Sequence, residues 1–152
     1  MTKRIDIGTV TRKKGTGYPP PYDEPCRERV RYRLGDAAGL TQFGVNLLRL
    51  PPGVWSSQRH WHSHEDEFVF VIEGEVVLAT DAGEETLRAG DCAGFKAGVA
   101  DGHHLRNDST HEAVVLEIGS RKPGQDDTTY PGIDLLLRAK LNAFTHADGT
   151  KY

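Results

Sequence analysis

The chain has 152 residues and a net charge of −3 at pH 7, with 37% hydrophobic and 27% charged residues. That length suits one domain with a modest core, and the balance argues against global disorder. The mild acidity argues against nucleic acid as the main partner, because neutralising phosphates needs a surplus of Lys and Arg.

The 17 glycines and 8 prolines point to many turns, hence many short strands rather than a helix bundle. Cys26 and Cys92 form neither a disulfide framework nor a CxxC pair, so they read as reduced thiols and place the protein in the cytoplasm. Cys92 reads as a small buried hydrophobe. The N-terminal stretch has no apolar run, so no signal peptide is expected. No window approaches the roughly 18 consecutive apolar residues of a membrane span, so no membrane partner is expected.

Residues 1–25 read as an arm and residues 26–152 as the folded domain with its C-terminal tail. Pro19, Pro20, Pro21 and Pro25 remove backbone donors and favour extended structure, so no helix is expected in the arm. The arm is either a disordered tail or a segment laid on the rest of the fold or on a second subunit. In residues 29–34 basic and apolar side chains alternate, which predicts a strand with one dry and one wet face. Residues 36–39 break it. Residues 43–50 carry apolar side chains on both faces, as in a strand sandwiched inside a fold.

Pro51, Pro52 and Gly53 end that strand, and residues 54–62 form the next extended piece. Residues 67–72 are a strongly apolar strand closed by Gly74. Residues 76–80 and 85–88 flank Asp81-Ala82-Gly83-Glu84, which suits a hairpin turn. Residues 103–107 and 113–118 complete the strands. Eight or nine short strands at this spacing predict an all-β sandwich or barrel. Residues 134–144 fit a short helix or an extended segment, with extended structure favoured.

Five of the seven histidines fall in two groups, His60, His62 and His64, then His103 and His104. On a strand His60 and His62 share a face, where their ring nitrogens can reach one metal ion. Glu67 has the wrong parity to join them on an unbroken strand. A turn over residues 63–66 would bring it back, on a strand lying beside the first, with Glu67, Val69 and Val71 inward and Phe68 and Phe70 outward. His103 would be the fourth ligand if its strand is adjacent; His104 has opposite parity and suits a structural or surface role. Three imidazoles and one carboxylate leave positions open on an octahedral ion. They suit Fe, Mn, Ni, Co or Zn better than Ca or Mg.

These residues resemble the cupin superfamily, whose motifs read G-x5-HxH-x3/4-E-x6-G and G-x5-PxG-x2-H-x3-N. Here the first is Gly53, His60-Trp61-His62, Glu67 and Gly74. The second is Gly90, Lys96-Ala97-Gly98, His103 and Asn107. One extra residue precedes His60, Lys96 replaces proline, and two extra residues precede His103. All three departures fall in turns, where insertions are tolerated. The resemblance implies a single-domain jelly-roll β-barrel with a divalent transition metal held by His60, His62, Glu67 and His103.

The stretches GLTQFGVNLLRLPPG, RHWHSHEDEFVFVIEGE, GHHLRN, LEIGSR, YPGIDL and ADGTKY extend it over residues 18–152. They look like a group of small bacterial cupins loosely labelled sugar-phosphate-isomerase-like or auxin-binding-like. Fold and metal follow from such a likeness better than reaction does. The expectation is a small polar ligand in the barrel, handled by an isomerase- or lyase-like enzyme acting on a sugar or organic acid. A non-catalytic ligand-binding or sensor protein, a dioxygenase, and a structural cupin with a vestigial site are the alternatives. No catalytic base is identified, because Glu67 is assigned to the metal. A homodimer is expected, since free strand edges and the outward Phe68 and Phe70 need cover.

Overall fold

The alternation of residues 43–50 and 67–73 builds two long antiparallel strands in a computed structural model that describes residues 4–152. Thirteen strands are described: β1 (Arg12–Lys14), β2 (Val30–Arg33), β3 (Phe43–Leu50), β4 (Trp61–His62), β5 (Glu67–Glu73), β6 (Glu75–Thr80), β7 (Gly83–Arg88), β8 (Cys92–Phe95), β9 (His104–Arg106), β10 (Ala113–Ser120), β11 (Thr128–Thr129), β12 (Leu136–Arg138) and β13 (Ala143–Thr145). Among the described residues one short α-helix, α1, covers Leu34–Ala37, in the break after β2.

The strands form three open sheets, ordered β1-β2-β3-β10-β5-β8, β13-β12-β11-β4 and β7-β6-β9. The core lies between the first and third. Leu48 and Leu50 of β3, Val69 and Val71 of β5 and Val115 of β10 meet Val76 and Leu78 of β6, Leu87 of β7 and Leu105 of β9. Inward residues pair across strands, Leu48 with Val115 and Val115 with Val71, so one parity fills the core. The opposite parity places Phe68 and Phe70 on the outside, as expected.

Gly74 makes the turn from β5 to β6 with a φ of 75°, and a Cβ there would stand 2.8 Å from the Glu112 carbonyl oxygen. The motif residue Asn107 is fully buried and structural. Its Nδ2 donates to the carbonyls of Leu50 and His111, each at 2.7 Å, tying off the turn after β9.

Several expectations are corrected. The arm contains a 3-10 turn at Ile7–Thr9, because the Asp6 carboxylate accepts the Gly8 N–H at 3.0 Å and caps it. A second such turn, at Glu24–Cys26, carries proline near its start. Of the two alternatives for the arm, its described part follows the second at two places: β1 pairs with β2, and Tyr18 packs edge-on against Tyr130 with ring centroids 5.5 Å apart. The strand from Glu67 does not return beside β4. It enters the large sheet between β10 and β8, while β4 pairs with β11. Cys92 is exposed, because it pairs with Phe70 on the outer face, and Cys26 is the buried thiol. Residues 134–144 are extended, as favoured, and form the β12–β13 hairpin.

Candidate metal centre

The two histidine groups meet through backbone pairing. The His60 N–H donates to the His103 carbonyl at 3.1 Å and the His103 N–H donates back at 2.9 Å. After His62 the chain bends over residues 63–66 and delivers Glu67 at the start of β5. That bend overcomes the parity problem, since Glu67 no longer continues the strand of His60 and His62.

Glu67 Oε2 then lies 3.3 Å from His60 Nε2, 3.4 Å from His62 Nε2 and 2.9 Å from His103 Nε2. With metal–ligand bonds of about 2.1 Å, donor atoms at neighbouring corners of a coordination sphere sit roughly 3.0 to 3.4 Å apart. The three contacts of Glu67 fall at or close to that range. The donor atoms of His60, His62 and Glu67 all lie within 4.8 Å of one another, and this trio could hold a metal ion. His103 joins the cluster through its contact with Glu67 and stacks on Phe95 at 3.5 Å.

The far sides of two rings are fixed. His60 Nδ1 lies 2.9 Å from the Gln58 carbonyl, and His62 Nδ1 lies 2.6 Å from Asp126 Oδ2. Such partners orient a ligating imidazole and set which nitrogen faces the ion. Asp126 is itself held: its Oδ1 accepts the N–H groups of His64 at 2.7 Å and Glu65 at 3.1 Å. Residues 64 and 65, within the turn expected over residues 63–66, thus support the site through their backbone. Asp66 does related work, accepting the Ala97 N–H at 2.8 Å.

Electrostatics follow from these contacts. Burial opposes a charge on His62, but Glu67 and Asp126 outweigh it and raise its pKa to about 9. Burial likewise opposes a charge on Glu67, yet the three histidines hold its carboxyl well below the usual range. His103 is lowered by burial. His104 faces the other way, as its parity required. It is buried, bonded to the Ser57 carbonyl at 3.1 Å, and set edge-on to Trp55. These contacts hold its ring in place.

The cluster opens on a cavity of about 310 Å³. Its walls include groups that no motif or spacing singles out: Tyr18, Arg29, Arg31, Glu117 and Tyr130. The basic face of β2, read as wet, instead turns inward. Arg31 forms a two-pronged ion pair with Glu117, at 2.7 and 2.9 Å. Burial raises Tyr18 and Tyr130 above the ordinary phenol range, so both stay protonated and able to donate. Trp61 and Lys96 line a second cavity, of about 220 Å³, which also reaches His62, Glu67 and His103.

A cupin-domain family model matches residues 46–119. A crystal structure from Silicibacter pomeroyi, of a protein named a sugar phosphate isomerase from a cupin superfamily, superposes with a TM-score of 0.92 at 41% identity. The match covers 99% of this chain and 96% of that one. The chain belongs to the cupin superfamily. A second structure, from Acidithiobacillus ferrooxidans and named for the same activity, superposes on this cupin with a TM-score of 0.73 at 34% identity. It covers 80% of this chain and 76% of the other. A polyketide cyclase of Streptomyces resistomycificus shares the fold, with a TM-score of 0.63 at 18% identity over 80% of this chain and 81% of its own. Among curated proteins, a sequence search finds no significant match. The jelly-roll architecture is that of the family, though the three sheets do not close into one barrel. No helix among the described residues is long and apolar enough to cross a membrane.

Proposed function

We propose that this cupin binds a divalent transition metal through His60, His62, Glu67 and His103 and uses it to act on a small polar molecule in the adjoining cavity. One observation carries the reading: three imidazole Nε2 atoms from two separate segments converge on one oxygen of Glu67, at 2.9 to 3.4 Å. Thiolates are absent from the cluster, so the donor set suits Fe, Mn, Ni, Co or Zn. When bound, the ion supplies Lewis acidity toward a carbonyl or hydroxyl oxygen.

The protein's own groups then orient the molecule. The phenols of Tyr18 and Tyr130, bonded to each other, leave one hydroxyl proton to offer, and Arg29 and Arg31 present cationic walls. Isomerase- or lyase-like chemistry on a sugar or organic acid is the activity class this supports, in keeping with the name borne by the Silicibacter relative. The test is elemental analysis of untreated protein beside the double variant His60→Ala, His62→Ala, followed by turnover assays with sugar phosphates and keto acids. Stoichiometric metal lost in the variant, with turnover independent of air, supports the reading. Unchanged metal in the variant refutes the ligand set, and turnover that needs air assigns a dioxygenase instead.

We also propose a homodimer formed through the outer face of the large sheet. Phe43, Phe68, Phe70 and Ile72 remain 38 to 46% exposed there, an apolar surface of the kind that protein partners cover. Light scattering that finds a monomer at working concentration refutes it.

A further inference from the structure

Arg29 is a buried cation without a carboxylate partner. It is 7% exposed, and among the described residues no Asp or Glu lies within ion-pair distance of it. Its Nε donates to the Gly15 carbonyl at 3.1 Å and its Nη1 to the Ser56 carbonyl. Its Nη2 has no protein acceptor among the described residues. Of the two cavity carboxylates outside the histidine cluster, Glu117 is committed to Arg31 and Glu65 accepts the Lys122 N–H. Burial and the like charge of Arg31 both act against the Arg29 guanidinium. Guanidinium nonetheless keeps its proton in proteins. A buried charge is costly unless it is paired.

We infer that the cavity is an anion site, in which Arg29 with Arg31 beside it receives a carboxylate or phosphate group of the ligand. The missing counter-charge is thereby supplied by the molecule that binds. Planar guanidinium donors suit both oxyanions, and the neutral phenol pair of Tyr18 and Tyr130, bonded to each other, adds one donor that does not repel them. The inference rests on the proposed function only in taking this cavity as the binding chamber. It needs no metal, so anion binding can be read in chelator-treated protein whatever becomes of the ligand assignment.

The experiment is calorimetric titration of full-length protein, metal-loaded and chelator-treated, with orthophosphate, malonate and uncharged glycerol. Orthophosphate or malonate is expected to bind in both forms and glycerol in neither; which anion binds more tightly assigns the group. Arg29→Gln is expected to weaken anion binding by about tenfold or more, consistent with loss of a charge-assisted hydrogen bond, with metal content unchanged. Arg29→Lys should fall between. Because Arg29 also anchors Gly15 and Ser56, a reading on wild-type protein is included. The Arg29 Nε–H resonance should move on adding orthophosphate or malonate. Absence of anion binding overturns the inference. So does equal binding by Arg29→Gln, or an Arg29 resonance that stays in place at saturation.

Discussion

Asp126 Oδ2 lies 2.6 Å from His62 Nδ1, while Asp126 Oδ1 gathers the backbone N–H groups of His64 and Glu65. One carboxylate thus sets the ring plane of a candidate ligand and the shape of the loop that returns Glu67 to it. Asp126→Asn keeps the size but weakens the acceptor toward His62. Metal affinity should fall by about tenfold to a hundredfold, the usual loss for such a partner. Competition with a metal-sensitive dye measures it. An unchanged affinity with a normal fold would mean that the histidine is held by its backbone alone.

The same contact dictates how metal uptake responds to pH. In metal-free protein His62 carries its proton up to about pH 9, because Glu67 and Asp126 favour the imidazolium more than burial opposes it. An imidazole must be neutral to ligate, so the ion displaces that proton. Apparent metal affinity should therefore rise with pH toward about 9 and should be poor at roughly pH 4.5, where ordinary histidines are also protonated. Without metal the sign reverses for stability. The folded pKa is raised, so this contribution is full below about 6.5 and is lost as pH rises through about 9. Proton release measured on metal addition at two buffer ionisation enthalpies checks the first statement.

How far sequence reaches is clear from particular residues. The period of two gives the inward set Val69 and Val71 and the outward set Phe68 and Phe70, because a strand fixes parity locally. His60, His62 and Glu67 were legible from spacing once a turn was allowed at residues 63–66. Arg29 and Arg31 were not. Alternation says which side chains share a face but not which face is inside, and here the basic face meets a polar cavity rather than water. Asp126 was illegible for another reason. It lies in a loop more than sixty positions from His62, and nothing local marks which loop carboxylate will reach a ring nitrogen. Cys92 misled because its type is usually buried, whereas its pairing with Phe70 places it outward.

Gly74 offers a test of the turn that sets β5 against β6. Its φ of 75° is strained for any other L residue, and an added Cβ would stand 2.8 Å from the Glu112 carbonyl oxygen. Gly74→Ala should destabilise the fold by roughly 1–3 kcal/mol. Gly83, also at positive φ but with open space around its Cβ position, is the control: Gly83→Ala should cost less, since it has strain without a clash. Equal losses in chemical denaturation would show that the close approach of Glu112 is unimportant.

Leu48 tests the core itself. It is fully buried on β3 and faces Val115 across the sheet, within the cluster that joins the large and small sheets. Leu48→Ala removes buried methyl groups and leaves a cavity that neighbouring strands cannot fully close. The expected loss is about 2–5 kcal/mol, read as a lower denaturation midpoint with little change in slope.

His104 carries the last prediction, on acid stability. Burial, reinforced by the nearby charge of Arg106, depresses its pKa to about 4, although its bond to the Ser57 carbonyl works the other way. In the unfolded chain the group titrates near 6.5. Between these values the unfolded state binds the extra proton, so stability falls as pH drops. The contribution is whole above about 6.5 and is lost progressively toward 4. His104→Gln keeps a side chain able to donate to Ser57 but removes the titration. Its stability should be lower at pH 7, where the edge contact with Trp55 is missing, and should decline less steeply between pH 6.5 and 4. Parallel slopes for the two proteins, measured by urea unfolding across that window, would assign the acid sensitivity to His103 instead, an imidazole that burial also lowers. The Glu67 carboxyl, held low by the histidines around it, takes up its proton on unfolding only below about pH 5 and so steepens the decline at the acid end alone.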